Sequence, residues 1–191
     1  MIYLVRHGET VWNREGRYQG AMNSTLTPLG RSQAASIGKT LATTIGRQLH
    51  PLMTHVSPLG RAQETAAIIS QFIPLTMSSE PQIAEISFGS WDGKSIREIE
   101  RDCQILADEN HQHNWLFRSP DGETFESARD RIEAWLQGLT EPALVVTHAL
   151  TSKLIRGIRR ELNRDDTLQL DSPQDGFFIL DLRQSHFVRC I

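Results

Sequence analysis

Met1-Ile2-Tyr3-Leu4-Val5-Arg6-His7-Gly8-Glu9-Thr10 joins an apolar run to a turn that carries chemistry. Met1–Val5 reads as a buried strand, and Gly8 marks the place where the backbone turns sharply. Arg6 and His7 therefore stand side by side at the carboxyl end of a strand. Open α/β sheets bind their ligands in that position. A guanidinium forks onto two oxygens, and an imidazole beside it can face phosphorus, so the pair suits a phosphate.

Working outward, apolar runs predict further strands at Leu52–Val56, Leu75–Ser78, Ala143–Thr147, Thr167–Leu170, Phe177–Leu182 and His186–Cys190. Helical spacing predicts helices at Pro28–Ile45, Pro58–Phe72, Ser95–Glu109, Phe125–Leu139 and Ala149–Leu162. This alternation predicts an α/β three-layer sandwich, a mostly parallel mixed sheet with helices on both faces. Thr27-Pro28-Leu29-Gly30-Arg31 is echoed by Ser57-Pro58-Leu59-Gly60-Arg61. Each reads as a hydroxyl N-cap, a proline at the first helical position, then a helix. The second copy follows a strand, which aims Arg61 at the crevice, whereas Arg31 reads as a solvated helix residue.

The chain has 191 residues, 39% hydrophobic and 23% charged, with a formal net charge of −3. That balance argues against nucleic-acid and anionic-membrane partners, so a positive field for an anionic ligand must be local. No apolar run reaches transmembrane or signal-peptide length, which predicts a cytoplasmic protein. Cys103 and Cys190 have no metal or redox spacing and read as reduced thiols. His111-Gln112-His113 lacks the partners of a tetrahedral set, so no metal is expected.

Two histidines and a carboxylate are the candidates for the chemistry. His7 is a nucleophile when its other ring nitrogen is held by a carbonyl. His148 follows the apolar run Ala143–Thr147 as His7 follows β-type residues, and alone it reads as a satisfied core histidine. A leaving alkoxide calls for a carboxylic acid to protonate it and then to activate water, and Glu85 is one candidate. Its rivals are Glu80 and Asp92.

Arg6-His7-Gly8-Glu9-Thr10 with Asn13, Ser57-Pro58-Leu59-Gly60-Arg61-Ala62, Glu85 within Ala84–Gly93, and His148 together resemble the histidine phosphatase superfamily, its phosphoglycerate mutase-like branch. The matching residues span nearly the whole chain. The resemblance implies one domain over 1–191 with a small helical cap or lid around 92–122. It implies that Arg6, Arg61, Asn13 and His148 hold a phosphoryl group, that His7 accepts it, and that Glu85 is acid and base. Gln19 and Thr25 are expected to touch substrate. Ala149 stands beside the phosphate where the family usually has glycine. Glu9 and Glu123 are expected to be structural, Glu123 as charge support at a helix start, with orientation of an active-site group as its alternative role. The implied activity is metal-independent and cofactor-free hydrolysis of a small phosphorylated metabolite through a phosphohistidine. A phosphoglycerate mutase-type phosphotransferase and a non-catalytic phospho-ligand module are the alternatives, and a homodimer through an edge strand stays open.

Overall fold

β1, Ile2–Arg6, is the strand on which the sheet is built. Its side chains alternate between two layers. Ile2 and Leu4 enter one apolar cluster, and Tyr3 and Val5 enter the other. A strand covered on both faces must be apolar throughout, and each fully buried aliphatic side chain contributes about 2 kcal/mol. The computed structural model describes residues 1–46, 51–102, 114–140, 142–181 and 184–190.

The other strands are β2, Leu52–Val56, β3, Leu75–Ser79, β4, Ala143–Thr147, β5, Gly176–Asp181, and β6, Gln184–Arg189. They lie in the order β3-β2-β4-β1-β5-β6. Parallel pairing joins β1 to β4, β4 to β2 and β2 to β3, and β5 runs antiparallel to both β1 and β6. The fold is the mixed, mostly parallel α/β arrangement expected.

The helices are α1, Val11–Arg14, α2, Pro28–Ile45, α3, Gly60–Ile69, α4, Ile96–Asp102, α5, Phe125–Gly138, α6, Ala149–Arg159, and α7, Arg164–Gln169. Ile37 and Leu41 of α2 pack with Ala62, Ala66 and Ile69 of α3 over Tyr3, Val5, Leu144 and Val146. Ala128, Ile132 and Trp135 of α5 pack with Leu154 and Ile155 of α6 over Ile2, Leu4 and Val145. Three layers result, held by two apolar clusters.

Register positions the site. Arg6 lies opposite Thr147, and Val56 lies opposite Val146. The residues that follow these three strands, His7, His148 and Ser57, therefore emerge together at one edge of the sheet. The turn after β1 is pressed against the start of α2. A side-chain carbon added at Gly8 would strike the Gly30 carbonyl, and one added at Gly30 would strike the Glu9 carbonyl. Two backbones approach there at a distance only glycine permits.

Two expected elements differ. Thr167–Leu170 is not a strand but lies across the end of α7. Its helix is started by Asn163, whose side chain accepts from the Asp166 amide, and Asp165 and Asp166 favour the first turn electrostatically. Leu168 and Leu170 alternate with the polar Thr167 and Gln169, and that two-residue period mimics a strand. The helix expected from Pro58 starts at Gly60 instead. Thr27 caps α2 through the Gly30 amide, but Ser57 turns its hydroxyl elsewhere. Of the expected helix Ser95–Glu109, the described part is α4, and Cys103, His111-Gln112-His113 and residues 103–113 of the expected cap lie outside the described residues. No described helix is long and apolar enough to cross a membrane.

Candidate active site

His7 is 3% exposed, and its Nδ1 lies 2.8 Å from the Gly8 carbonyl. A carbonyl only accepts, so Nδ1 carries the proton and Nε2 keeps its lone pair. Arg61 Nε confirms that tautomer by donating to His7 Nε2 at 3.2 Å. The same Nε–H is shared with His148 Nδ1, also at 3.2 Å. His148 therefore carries its proton on Nε2 and donates it to Ser57 Oγ at 2.6 Å. The two rings lie 5.1 Å apart between centroids. Ser57 thus serves His148 rather than capping α3.

Burial, then the charge of Arg61, pushes both imidazole pKa values well below 6.5. His7 is neutral and nucleophilic as a result. The same shift makes stability depend on pH. In the unfolded chain these imidazoles ionise near their ordinary value, whereas in the fold they stay neutral. Below pH 6.5 the unfolded state then binds protons that the folded state does not, and stability is lost as pH falls. We expect a loss of up to about 1.4 kcal/mol per imidazole per pH unit. Urea unfolding at pH 7.5, 6 and 5 checks this, and a flat midpoint would contradict the neutral tautomers.

Arg61 is 1% exposed, and all of its guanidinium nitrogens have partners. Besides the two imidazoles, Nη1 donates to the Met22 carbonyl at 2.5 Å and Nη2 to the Gly20 carbonyl at 2.9 Å. Its backbone amide donates to Asn23 Oδ1. In this state Arg61 ties the Gly20–Asn23 loop to the histidines, and its fork is not open to an anion. Arg31, its counterpart in the sequence echo, is exposed and paired with Glu64. Arg6 donates to the Ser172 carbonyl, and its buried Nε has no partner among the described residues. Burial lowers the pKa of both Arg6 and Arg61 to about 10, so both remain charged at neutral pH.

Glu85 lies at the start of α6. Its carboxylate accepts from the Leu150 amide at 3.3 Å and the Thr151 amide at 3.1 Å, and the one Thr151 hydroxyl proton is shared between it, at 3.1 Å, and the Ala84 carbonyl, at 2.8 Å. A helix N-terminus is a natural seat for an anion. Asp92, its sequence rival, is occupied by the Phe88 and Ala21 amides. Glu80 lies beside His55 instead.

A cavity of about 370 Å³ opens on this cluster, lined by Arg6, His7, Asn13, Gln19, Arg61, Glu85 and Ala149 among others. His148 is fully buried behind it. Asn13 and Thr10 close a reciprocal capping box, and Asn13 Oδ1 also accepts from Gln174 Nε2 at 3.1 Å. That leaves the Asn13 amide NH₂ as the donor for the cavity. Gln19 donates to Thr10 Oγ1 at 2.8 Å, while its buried Oε1 has no partner among the described residues. Thr25 is exposed and does not line the cavity, because its backbone, not its side chain, serves the site by accepting from the Val11 amide. Glu9 is structural as expected, accepting the Thr27 hydroxyl at 2.7 Å. Glu123 does not act through the helix start alone, because Arg131 grips it with two nitrogens.

Several residues escaped sequence reasoning. Gln174 donates to the His7 carbonyl at 3.0 Å as well as to Asn13, so one side chain steadies both. Lys153 lines the cavity one helical turn beyond Ala149 and donates to the Leu168 carbonyl at 2.8 Å. Its i+4 spacing from Ala149 was the available signal. Tyr18, Phe88, Leu116 and Leu150 form an apolar wall. Among the described residues no group of three or more His, Cys, Asp or Glu is arranged to hold a metal ion.

A family model described as histidine phosphatase superfamily (branch 1) matches residues 2–188. A Citrobacter koseri protein named probable phosphoglycerate mutase GpmB is 34% identical over 161 residues, covering 78% of this chain and 69% of that protein. Among solved structures, YhfR of Bacillus stearothermophilus is 28% identical with a TM-score of 0.81, covering 98% of this chain and 95% of that one. The alpha-ribazole phosphatase of Shigella flexneri shares the fold at 23% identity and a TM-score of 0.77, covering 99% and 95% of the two chains.

Proposed function

Because the chain belongs to the histidine phosphatase superfamily (branch 1), we propose that it hydrolyses phosphate monoesters of small metabolites through a phosphohistidine on His7. The observation that carries this reading is the neutral His7. Its proton is fixed on Nδ1, its Nε2 lone pair is left to accept from Arg61, and the residue lines a cavity bordered by Arg6 and Arg61.

The steps follow from the groups present. Arg6 and Asn13 receive the phosphoryl oxygens, where positioning and charge stabilisation do most of the catalytic work. Arg61 Nε–H leaves His7 Nε2 as phosphorus approaches and becomes a donor to the transferring group. His7 Nε2 forms the N–P bond while the P–O bond to the alcohol breaks. Protonated Glu85 gives its proton to the leaving oxygen. Water then attacks phosphorus with Glu85 as base, the N–P bond breaks, and inorganic phosphate leaves.

The test is phosphate release from a panel of phosphorylated metabolites in EDTA, with rapid quenching in alkali to trap labelled protein. Release with an alkali-stable, acid-labile label supports the reading. Phosphate binding without release or label would point to a non-catalytic module. The similarity to proteins named phosphoglycerate mutase favours one second reading, return of the phosphoryl group to another hydroxyl of the same substrate. Interconversion of 2- and 3-phosphoglycerate without free phosphate would establish that reading instead.

A further inference from the structure

The segment that carries Glu85 has no strand to hold it. It lies between two short 3₁₀ turns, Pro81–Ile83 and Gly89–Trp91. Its carbonyls are held from outside. Gln82 O accepts from Arg131 Nη1 at 2.6 Å, Ile83 O from the Thr147 hydroxyl at 2.7 Å, and Ala84 O from the Thr151 hydroxyl at 2.8 Å. Ser87 O accepts from the Glu123 amide at 2.8 Å. The two outer anchors are joined to each other. Arg131 Nε and Nη2 meet Glu123 Oε1 and Oε2 at 2.6 and 2.9 Å.

A closed circuit results: Gln82, Arg131, Glu123, Ser87, with Glu85 between its ends. An exposed ion pair would add little. This one is bidentate, its side chains are only 21% and 17% exposed, and each partner also grips the segment. Planar, two-pronged pairing fixes orientation as well as distance.

We propose that Arg131 and Glu123 are positioning residues that aim the Glu85 carboxylate at the leaving oxygen. The proposal rests on the reading of Glu85 as proton donor. Neither residue lines the cavity, so each acts through the segment. Loss of the circuit lets the carboxylate drift while phosphoryl binding by Arg6, Asn13 and the histidines persists.

The test compares two leaving groups. One is p-nitrophenolate, which departs from p-nitrophenyl phosphate without needing a proton. The other is the alkyl phosphate of the panel that turns over fastest. A catalytic group displaced by an ångström loses on the order of 10²-fold in rate. In R131M we expect kcat/KM, which reports only the steps through phosphoryl transfer to His7 and not the later attack of water, to fall by that order on the alkyl phosphate and by less than about threefold on p-nitrophenyl phosphate. E123Q keeps the shape of the pair and should show the same pattern at smaller size, which guards against a variant that fails to fold. E85Q is run alongside. Equal losses on both substrates, or none on either, in folded R131M and E123Q overturn the proposal. If E85Q itself shows no dependence on the leaving group, Glu85 is not the acid, and the proposal falls with that reading.

Discussion

His7→Ala should lower kcat/KM for phosphate monoesters by at least about 10⁴-fold, the scale seen when a covalent nucleophile is removed. The size follows from the site. Among the described residues the other imidazole of the sheet edge is not available for attack: His148 turns Nδ1 to Arg61 and Nε2 to Ser57. Its full burial keeps it from substituting. Phosphate affinity should change far less, since Arg6 and Asn13 remain. Steady-state turnover beside equilibrium phosphate binding makes the distinction. Wild-type turnover in a folded His7→Ala protein would refute the phosphohistidine route, and loss of binding together with turnover would assign His7 to ligand recognition.

Arg61→Met should damage both stability and catalysis. The substitution removes the donor to two imidazoles and to the Gly20 and Met22 carbonyls at once. Buried acceptors left unpaired cost about 1–3 kcal/mol each. Relaxation of the Gly20–Asn23 loop recovers part of this, so we expect a loss of roughly 3 kcal/mol, or a fall of roughly 6–12 °C in Tm. The lost charge on the transferring group should lower kcat/KM by on the order of 10³-fold. Arg61→Lys should rescue little, because an ammonium cannot reach two imidazoles and two carbonyls from one planar fork. Thermal unfolding and turnover on the same preparations check the claim. A variant that unfolds normally and turns over normally would show that the guanidinium network is dispensable.

Much of this arrangement is legible in the sequence where chemistry and local pattern coincide. Leu4-Val5-Arg6-His7-Gly8 and Val145-Val146-Thr147-His148 each carry their own strand signal, so the histidines could be placed at a sheet edge before any contact was known. Gly8 reads as a sharp turn after β1, and the structure adds its close backbone approach to Gly30. What escaped was built by distant partners. Gln174 reaches His7 across 167 positions, and Ser57 reaches His148 across 91. Neither has a local signature. Thr25, exposed and away from the cavity lining, shows the opposite case: in an irregular loop, sequence does not tell which face a side chain takes. The α7 helix was missed because its apolar period was brief and its Asn163 cap was overlooked.

The central position of β1 has a consequence for how the protein is made. Its neighbours in the sheet are β4 and β5, residues 143–147 and 176–181. This apolar strand is synthesised well before both partners, since Ile2 pairs with Ala143 on one side and Leu180 on the other. Such long-range pairing slows folding and leaves an adhesive strand uncovered meanwhile. The nascent polypeptide is therefore a candidate client for holding chaperones, and aggregation during expression should respond to translation speed more than to the stability of the finished molecule.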